Sequence, residues 1–236
     1  MRASAAKNPN GPKVKIYTHL IDDPNEFVRE IVAFNPNAVS LERFIELFDD
    51  PNENVRESVA ANPNAVSLER FIELFDDPSD KVGYRLGRSP NVLKEYPKEH
   101  KALWKRTGDT IAGLLVNPES PYIYPERYKE NFKPEFYYSI TFNKNAWRVF
   151  PEEFKAIFDS DDERVLIKLA SSPKYANQFP DQFVKLFECG YPEVFISLIE
   201  NRASKHFREY RKLHKVEEKR VHRKLKNRGV FGQLIT

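Results

Sequence analysis

The sequence predicts an all-α chain: an α-solenoid of about eight two-helix repeats of 26–29 residues, followed by a basic C-terminal helix. Three observations carry this expectation. The 17-residue string NPNAVSLERFIELFDDP at 35–51 recurs unchanged at 62–78, 27 residues later. Asn-Pro or Ser-Pro pairs punctuate the chain at nearly the same interval. Between successive pairs lie two apolar-periodic segments, each too short to bury its face without a neighbour.

The punctuation sets the register. It begins at Asn8-Pro9, continues through Asn35-Pro36, Asn62-Pro63, Ser89-Pro90 and Asn117-Pro118, erodes at Asn143 to Asn145, returns at Ser172-Pro173 and is weak at Asn201-Arg202. The first helix of a unit is expected to open at Asp23-Pro24-Asn25-Glu26 and again at Asp50-Pro51-Asn52-Glu53, with the aspartate as N-cap, proline at the first helical position and glutamate reaching back. Ser160-Asp161-Asp162-Glu163 follows the same logic. Asn35-Pro36 stops the helix, because a residue before proline avoids the helical region.

Phe27, Val28, Ile31 and Val32 form the predicted apolar arc of this helix. Ala33 lies opposite, and its equivalents are Ala6, Ala60, Gly87 and Ala170. A recurring small residue predicts a close neighbour on that side too, as in the inner layer of a stack. Leu115 breaks the series and predicts looser packing there. The second helix is expected to open at Ser40 or Ser67, with Leu41, Phe44, Ile45, Leu47 and Phe48 on one face. Later units open it with Tyr96-Pro97, Tyr124-Pro125, Phe150-Pro151 or Phe179-Pro180, each followed by a ring three residues after proline: His100, Tyr128, Phe154 and Phe183.

The bulk numbers agree. The chain has 236 residues, 17 prolines but 8 glycines, and a 31% charged share that suits an elongated body. Its net charge of +3 is uneven. Between 202 and 228 there are 12 Lys and Arg against 3 acidic residues, leaving 26 basic and 32 acidic elsewhere. The chain therefore reads as a solenoid domain, 1–201, and a basic helix with an apolar end, 202–236. A single cysteine, Cys189, forms no intrachain disulfide and fits a reducing compartment. No stretch is long and apolar enough to span a membrane, and the first residues lack the apolar core of a secretory signal. The expectation is a soluble, intracellular, cytoplasmic protein.

The pattern Val55-Arg56, Val59-Ala60, Asn62-Pro63 resembles leucine-rich-repeat-variant and short HEAT-like repeats, clearly over 2–90 and more weakly over 91–202. The resemblance implies a right-handed superhelix with a curved binding surface. The unit here is longer than the usual variant repeat, so its second segment is expected to be a full α-helix. Some members carry an iron–sulfur cluster on clustered cysteines; Cys189 alone cannot supply four ligands.

Arg2, Arg29 and Arg56 keep the 27-residue step and form a row with two readings. They pair with Asp23, Asp50 and Asp77, or they present guanidinium groups to phosphates or an acidic partner. The row lapses at Gly83. The basic tail also has two readings, a solvated capping helix or a contact for nucleic acid or an acidic surface. Its cations are Lys205, Arg208, Arg211, Lys212, Lys215, Lys219, Arg220, Arg223 and Lys224, with Phe207, Tyr210, Leu213, Val221 and Leu225 as a thin apolar stripe.

His206, His214 and His222 recur every eight residues, a step that turns them away from one another on a helix, so no metal site is expected. Trp147 stands where earlier units have Asn37 and Asn64, either plugging a widened turn, the favoured reading, or exposed as a partner anchor; Trp104 aligns with Phe48 in the core. No glycine-rich phosphate loop, HExxH, CxxC or GxSxG occurs, and the carboxylates that recur in every unit read as caps. The expected function is non-catalytic binding of a macromolecular partner, a protein first, with no cofactor and the basic tail as second contact. The alternative is backbone binding of RNA or DNA. An enzyme on this scaffold ranks last: HEAT-like DNA alkylation-repair glycosylases exist, but no residue set here matches their site.

Overall fold

The computed structural model describes residues 2–13 and 15–207; their regular structure is helical, with no strand among them. The chain divides into two compact units, Met1–Tyr128 and Lys129–Thr236. The division falls inside the span that the sequence reads as one domain.

The first unit contains α1 (Arg2–Ala6), α2 (Glu26–Phe34), α3 (Glu53–Ala61), α4 (Asp80–Arg88), α5 (Pro90–Glu95), α6 (Pro97–Ala102), α7 (Gly108–Val116), α8 (Ser120–Ile123) and the start of α9 (Pro125–Glu130). Here α1 packs on α2, α2 on α3, α3 on α4 and α4 on α7, so the first helices of successive repeats are direct neighbours. Val28, Val32, Val55, Val59, Val82 and Leu86 are buried between them and the second layer.

The helix starts differ from expectation. Asn25 is the N-cap of α2, accepting the Phe27 N–H at 2.9 Å, and Asn52 caps α3 in the same way. Asp23 and Asp50 sit one step earlier, accepting the N–H of Asn25 and Asn52 at 3.0 and 2.9 Å. Either Asx residue of Asp-Pro-Asn can cap a backbone; the asparagine adjoins the helical residues, which frees the aspartate for a second partner.

The second segment is a correction. It is not a full α-helix in the duplicated repeats but the 3-10 segments Glu42–Asp49 and Glu69–Asp76, each preceded by a shorter one, Pro36–Ser40 and Ala65–Ser67. The spacing explains it. Leu41, Phe44 and Leu47 are all buried and recur every three residues, the period of a 3-10 turn. That winding turns Ile45 and Ile72 outward, where they are exposed although an α-helical reading places Ile45 on the core face. Phe27 is likewise 51% exposed and lies outside the buried arc of α2.

The small-residue series holds at Ala6, Ala33 and Ala60, all buried. The series breaks at Leu115, and the close approach is that of α4 and α7. A Cβ on Gly87 would lie 3.0 Å from Leu114 Cγ and backbone N, one on Gly113 would overlap the Tyr84 backbone, and one on Gly83 would overlap Thr110 Oγ1. Three glycines bring α4 and α7 close together, and Leu115 is itself fully buried.

Asparagine at the punctuation position has a role beyond stopping a helix. Asn62 Nδ2 donates to the Ala33 carbonyl at 2.8 Å and to the Asn35 carbonyl at 3.0 Å. Asn35 does the same to Ala6 and Asn8, and Asn117 reaches Gly87 at 3.0 Å. Each buried amide satisfies a carbonyl left open at the end of the preceding helix.

The second unit contains α10 (Tyr137–Phe142), α11 (Ala146–Val149), α12 (Pro151–Lys155), α13 (Glu163–Ala170), α14 (Pro173–Gln178), α15 (Pro180–Lys185) and α16 (Pro192–Glu200). Here α10 packs on α13 and α13 on α16. Its core is aromatic: Phe154 and Phe183 are fully buried, and Phe154 stacks on Phe179 at 5.4 Å. Asn201 Nδ2 repeats the clip, reaching the Ala170 carbonyl at 2.8 Å.

Candidate functional site

The arginine row faces its own chain. Arg29 Nε and Nη2 donate to the two Asp50 oxygens at 2.6 and 3.0 Å, while Nη1 donates to the Asp23 carbonyl at 2.8 Å. Arg56 binds Asp77 and the Asp50 carbonyl in the same geometry. Both guanidiniums are held more firmly protonated than usual, first by the hydrogen bond to the aspartate. Their side chains are only 15 and 16% exposed. Arg2 pairs with Asp23 at 2.7 Å but is 62% exposed. Where the row lapses, Arg106 Nη2 takes over, donating to the Asp77 carbonyl at 2.7 Å and to the Phe75 carbonyl at 3.0 Å. Arg106 Nη1 lies 3.1 Å from where a Gly83 Cβ would stand, so the glycine is the opening through which that arginine enters.

Of the tail, Lys205 is described and exposed, in the 3-10 segment Arg202–His206. Arg208, Arg211, Lys212, Lys215, Lys219, Arg220, Arg223 and Lys224 lie outside the described residues, as do His214 and His222. Phe207, the first residue of the predicted apolar stripe, rests against Phe183 and Phe187 with ring centroids 5.3 and 6.0 Å apart. Among the described residues no group of three His, Cys, Asp or Glu is placed to hold a metal, and no helix is long and apolar enough to cross a membrane.

His100 is a strongly perturbed, buried side chain. Burial pushes it down to about 4, partly opposed by its bond to the Gly87 carbonyl at 3.0 Å. It stacks on Tyr124 and is fully enclosed, so no substrate reaches it. Tyr17 and Tyr128 occupy the same position in other repeats and donate to the Ala6 and Leu115 carbonyls at 2.6 and 2.8 Å. The histidine is thus one of three polar rings bound to a helix-end carbonyl.

The open feature of the first unit is a groove of about 650 Å³ along α1 to α4. Its apolar lining comes from Pro9, Ile31, Phe34, Pro36 and Ala61, and its charged lining from Lys7, Glu30, Glu57 and Arg85. Phe34, the last residue of α2, is 57% exposed there. Arg85 donates to Glu57 Oε1 at 2.8 Å, which fixes both side chains at the wall. Sequence reasoning missed the groove because it assigned Ile31 to the core and read Phe34 only as the end of a helix. The usable signal was the exchange of Phe34 for Ala61 and Arg88 at equivalent positions in the next two units. Cys189 is half-buried, and burial raises its thiol above the usual range.

Neither a protein-family model, nor a curated protein, nor a solved structure matches this chain.

Proposed function

We propose that this chain is a non-catalytic binding module of the leucine-rich-repeat-variant or short HEAT-like kind, a right-handed α-solenoid whose first unit takes a protein segment in the α1–α4 groove. The observation that carries the reading is Phe34, more than half exposed over a groove in which Ile31 and Ala61 are partly buried. Leaving a phenylalanine in water forgoes about 1.5–3 kcal/mol of burial. Exposed apolar surface rimmed by charge is the usual mark of an interaction site. The occupant that fits is a short protein segment with one bulky apolar side chain, for Ile31, Phe34 and Ala61, beside a carboxylate for Lys7. The arginine row enters this reading as a set of clamps between repeats, and the tail as a second contact.

The test is crosslinking from the groove. A photoreactive residue at position 34 should give one discrete adduct in cells, and Phe34→Asp should abolish co-purification of that partner while leaving the thermal midpoint unchanged. Ile45→Asp, at another exposed apolar position in the second segment of the repeat, should keep the partner. Loss with both variants, or with neither, would sink the assignment.

A further inference from the structure

One face of the second unit gathers exposed rings and cations on adjacent helices. Five residues before the punctuation the first unit has Glu30, Glu57 and Tyr84, and the second has Tyr138. One residue before it, Phe142 stands where the first unit has Phe34, Ala61 and Arg88. Tyr138 and Phe142 are 38 and 46% exposed on α10, their rings edge to face at 5.1 Å. From α13, the Arg164 guanidinium lies 5.2 Å over Tyr138 and the Lys168 ammonium 4.2 Å over Phe142. After the turn, Trp147 is half-buried, its Nε1 donating to the Lys144 carbonyl at 2.9 Å and its edge against Phe179. The turn position of Asn37 and Asn64 is held by Asn145, whose N–H donates to Asn143 Oδ1, so Trp147 stands two residues past the place expected for it. Lys174 lies 4.6 Å over its ring and Arg148 4.8 Å from it. Tyr175 next to Lys174 donates to the Thr141 carbonyl at 3.0 Å, tying α14 to the end of α10.

Three of these four cations lack a carboxylate partner. Arg164 pairs with Asp162 at 2.7 Å; Arg148, Lys168 and Lys174 form no ion pair among the described residues. In the first unit the residue equivalent to Lys168 is Arg85, which Glu57 neutralises. Exchanging that glutamate for a tyrosine removes the counter-charge and adds a ring. Lys174 is partly desolvated beside Arg148, and both effects lower its basicity, so a bound anion would relieve the pair.

From this arrangement we propose that the α10–α13 face, with Trp147, Arg148 and Lys174 at its end, binds single-stranded nucleic acid. Unpaired bases stack on Tyr138, Phe142 and Trp147, and phosphodiesters contact Lys168, Arg148 and Lys174. Stacking of this kind is sequence-tolerant and requires bases released from a duplex. A protein ligand would want carboxylates for the cations and would make no particular use of the rings beside them.

The test uses the full chain and fluorescein-labelled 12-mers of uridylate and thymidylate, with a duplex of equal length. The single strands should bind more tightly than the duplex. Comparison of the two 12-mers tells RNA from DNA as the preferred source of the same chemistry. The double variant Lys168→Gln, Lys174→Gln should lower the salt slope by about 1.4, as expected for two lost contacts to a single strand. Phe142→Ala should weaken binding by about fivefold or more through lost stacking. Trp147→Ala should do the same and Trp147→Phe should restore most of the loss, which separates stacking from folding. Binding with an unchanged salt slope in the double variant would assign all affinity to the tail and overturn the proposal. Equal competition by a poly-glutamate peptide would overturn it as well, because the face would then read charge alone.

Discussion

The side-chain amide of Asn62 donates to the carbonyl of Ala33, 29 residues earlier and 2.8 Å away, from a position that is almost wholly buried. One residue type thus does two things: it ends its own helix before proline and satisfies the end of the helix before it. Asn62→Ala leaves two carbonyls, Ala33 and Asn35, without that donor. The expected loss is about 2–3 kcal/mol in urea unfolding, from buried acceptors left unpaired. A loss below about 0.5 kcal/mol would mean that water replaces the amide freely.

The arginine clamps differ in strength by burial. Arg56→Met strands the nearly buried Asp77 carboxylate and should cost about 3 kcal/mol. Arg2→Met, at an exposed pair, should cost under about 1 kcal/mol. Restoring stability by adding Asp77→Asn to Arg56→Met would show that the cost is the unpaired charge. No recovery would assign it to lost packing of the arginine stem instead.

Stability should fall in acid through His100. Its folded-state value of about 4 lies below the ordinary 6.5, so the unfolded chain binds the extra proton between those two values. The contribution is complete above about pH 6.5 and is lost as pH falls towards 4, amounting to about 3 kcal/mol. His100→Phe, which copies Phe154 and Phe183, should flatten that part of the profile. Asn117 still donates to the Gly87 carbonyl in this variant, so folding is retained. An unchanged pH profile would show that other groups govern the acid limb.

Gly113→Ala should destabilise by about 2 kcal/mol although alanine favours helix by about 1 kcal/mol, because the new methyl meets the Tyr84 backbone, which cannot swing aside. Thermal unfolding compared with Gly87→Ala, where the nearest atoms, Leu114 Cγ and backbone N, stand 3.0 Å away and need give only slightly, should rank the first as worse.

The helical class and the repeat register were legible because duplication left 17 residues identical and because proline and its preceding residue restrict the backbone wherever they occur. The winding of the second segment was not. Leu41, Phe44, Ile45, Leu47 and Phe48 satisfy both a 3.6 and a 3.0 period over so short a run, and only the burial of Leu47 with the exposure of Ile45 separates the two. Asp23 and Asp50 misled for a related reason: each competes with an asparagine two residues on for the same cap. Of the candidate site, the arginine row was visible as a pattern, but its direction depends on where Asp50 and Asp77 fall in space. Tyr138 and Phe142 were hidden by the eroded punctuation at Asn143, which blurs the register by which they would be compared with Glu57 and Ala61.

The borrowed arginine at Gly83 has a consequence for how this array can be edited. A further copy of 51–77 placed after Asp77 brings its own arginine and its own aspartate, and leaves Arg106 facing the same kind of carbonyl as before. A copy placed between Gly83 and Arg106 separates a cavity from the side chain that fills it. Lengthening is therefore permitted on one side of α4 and forbidden on the other, so growth of this architecture is directional.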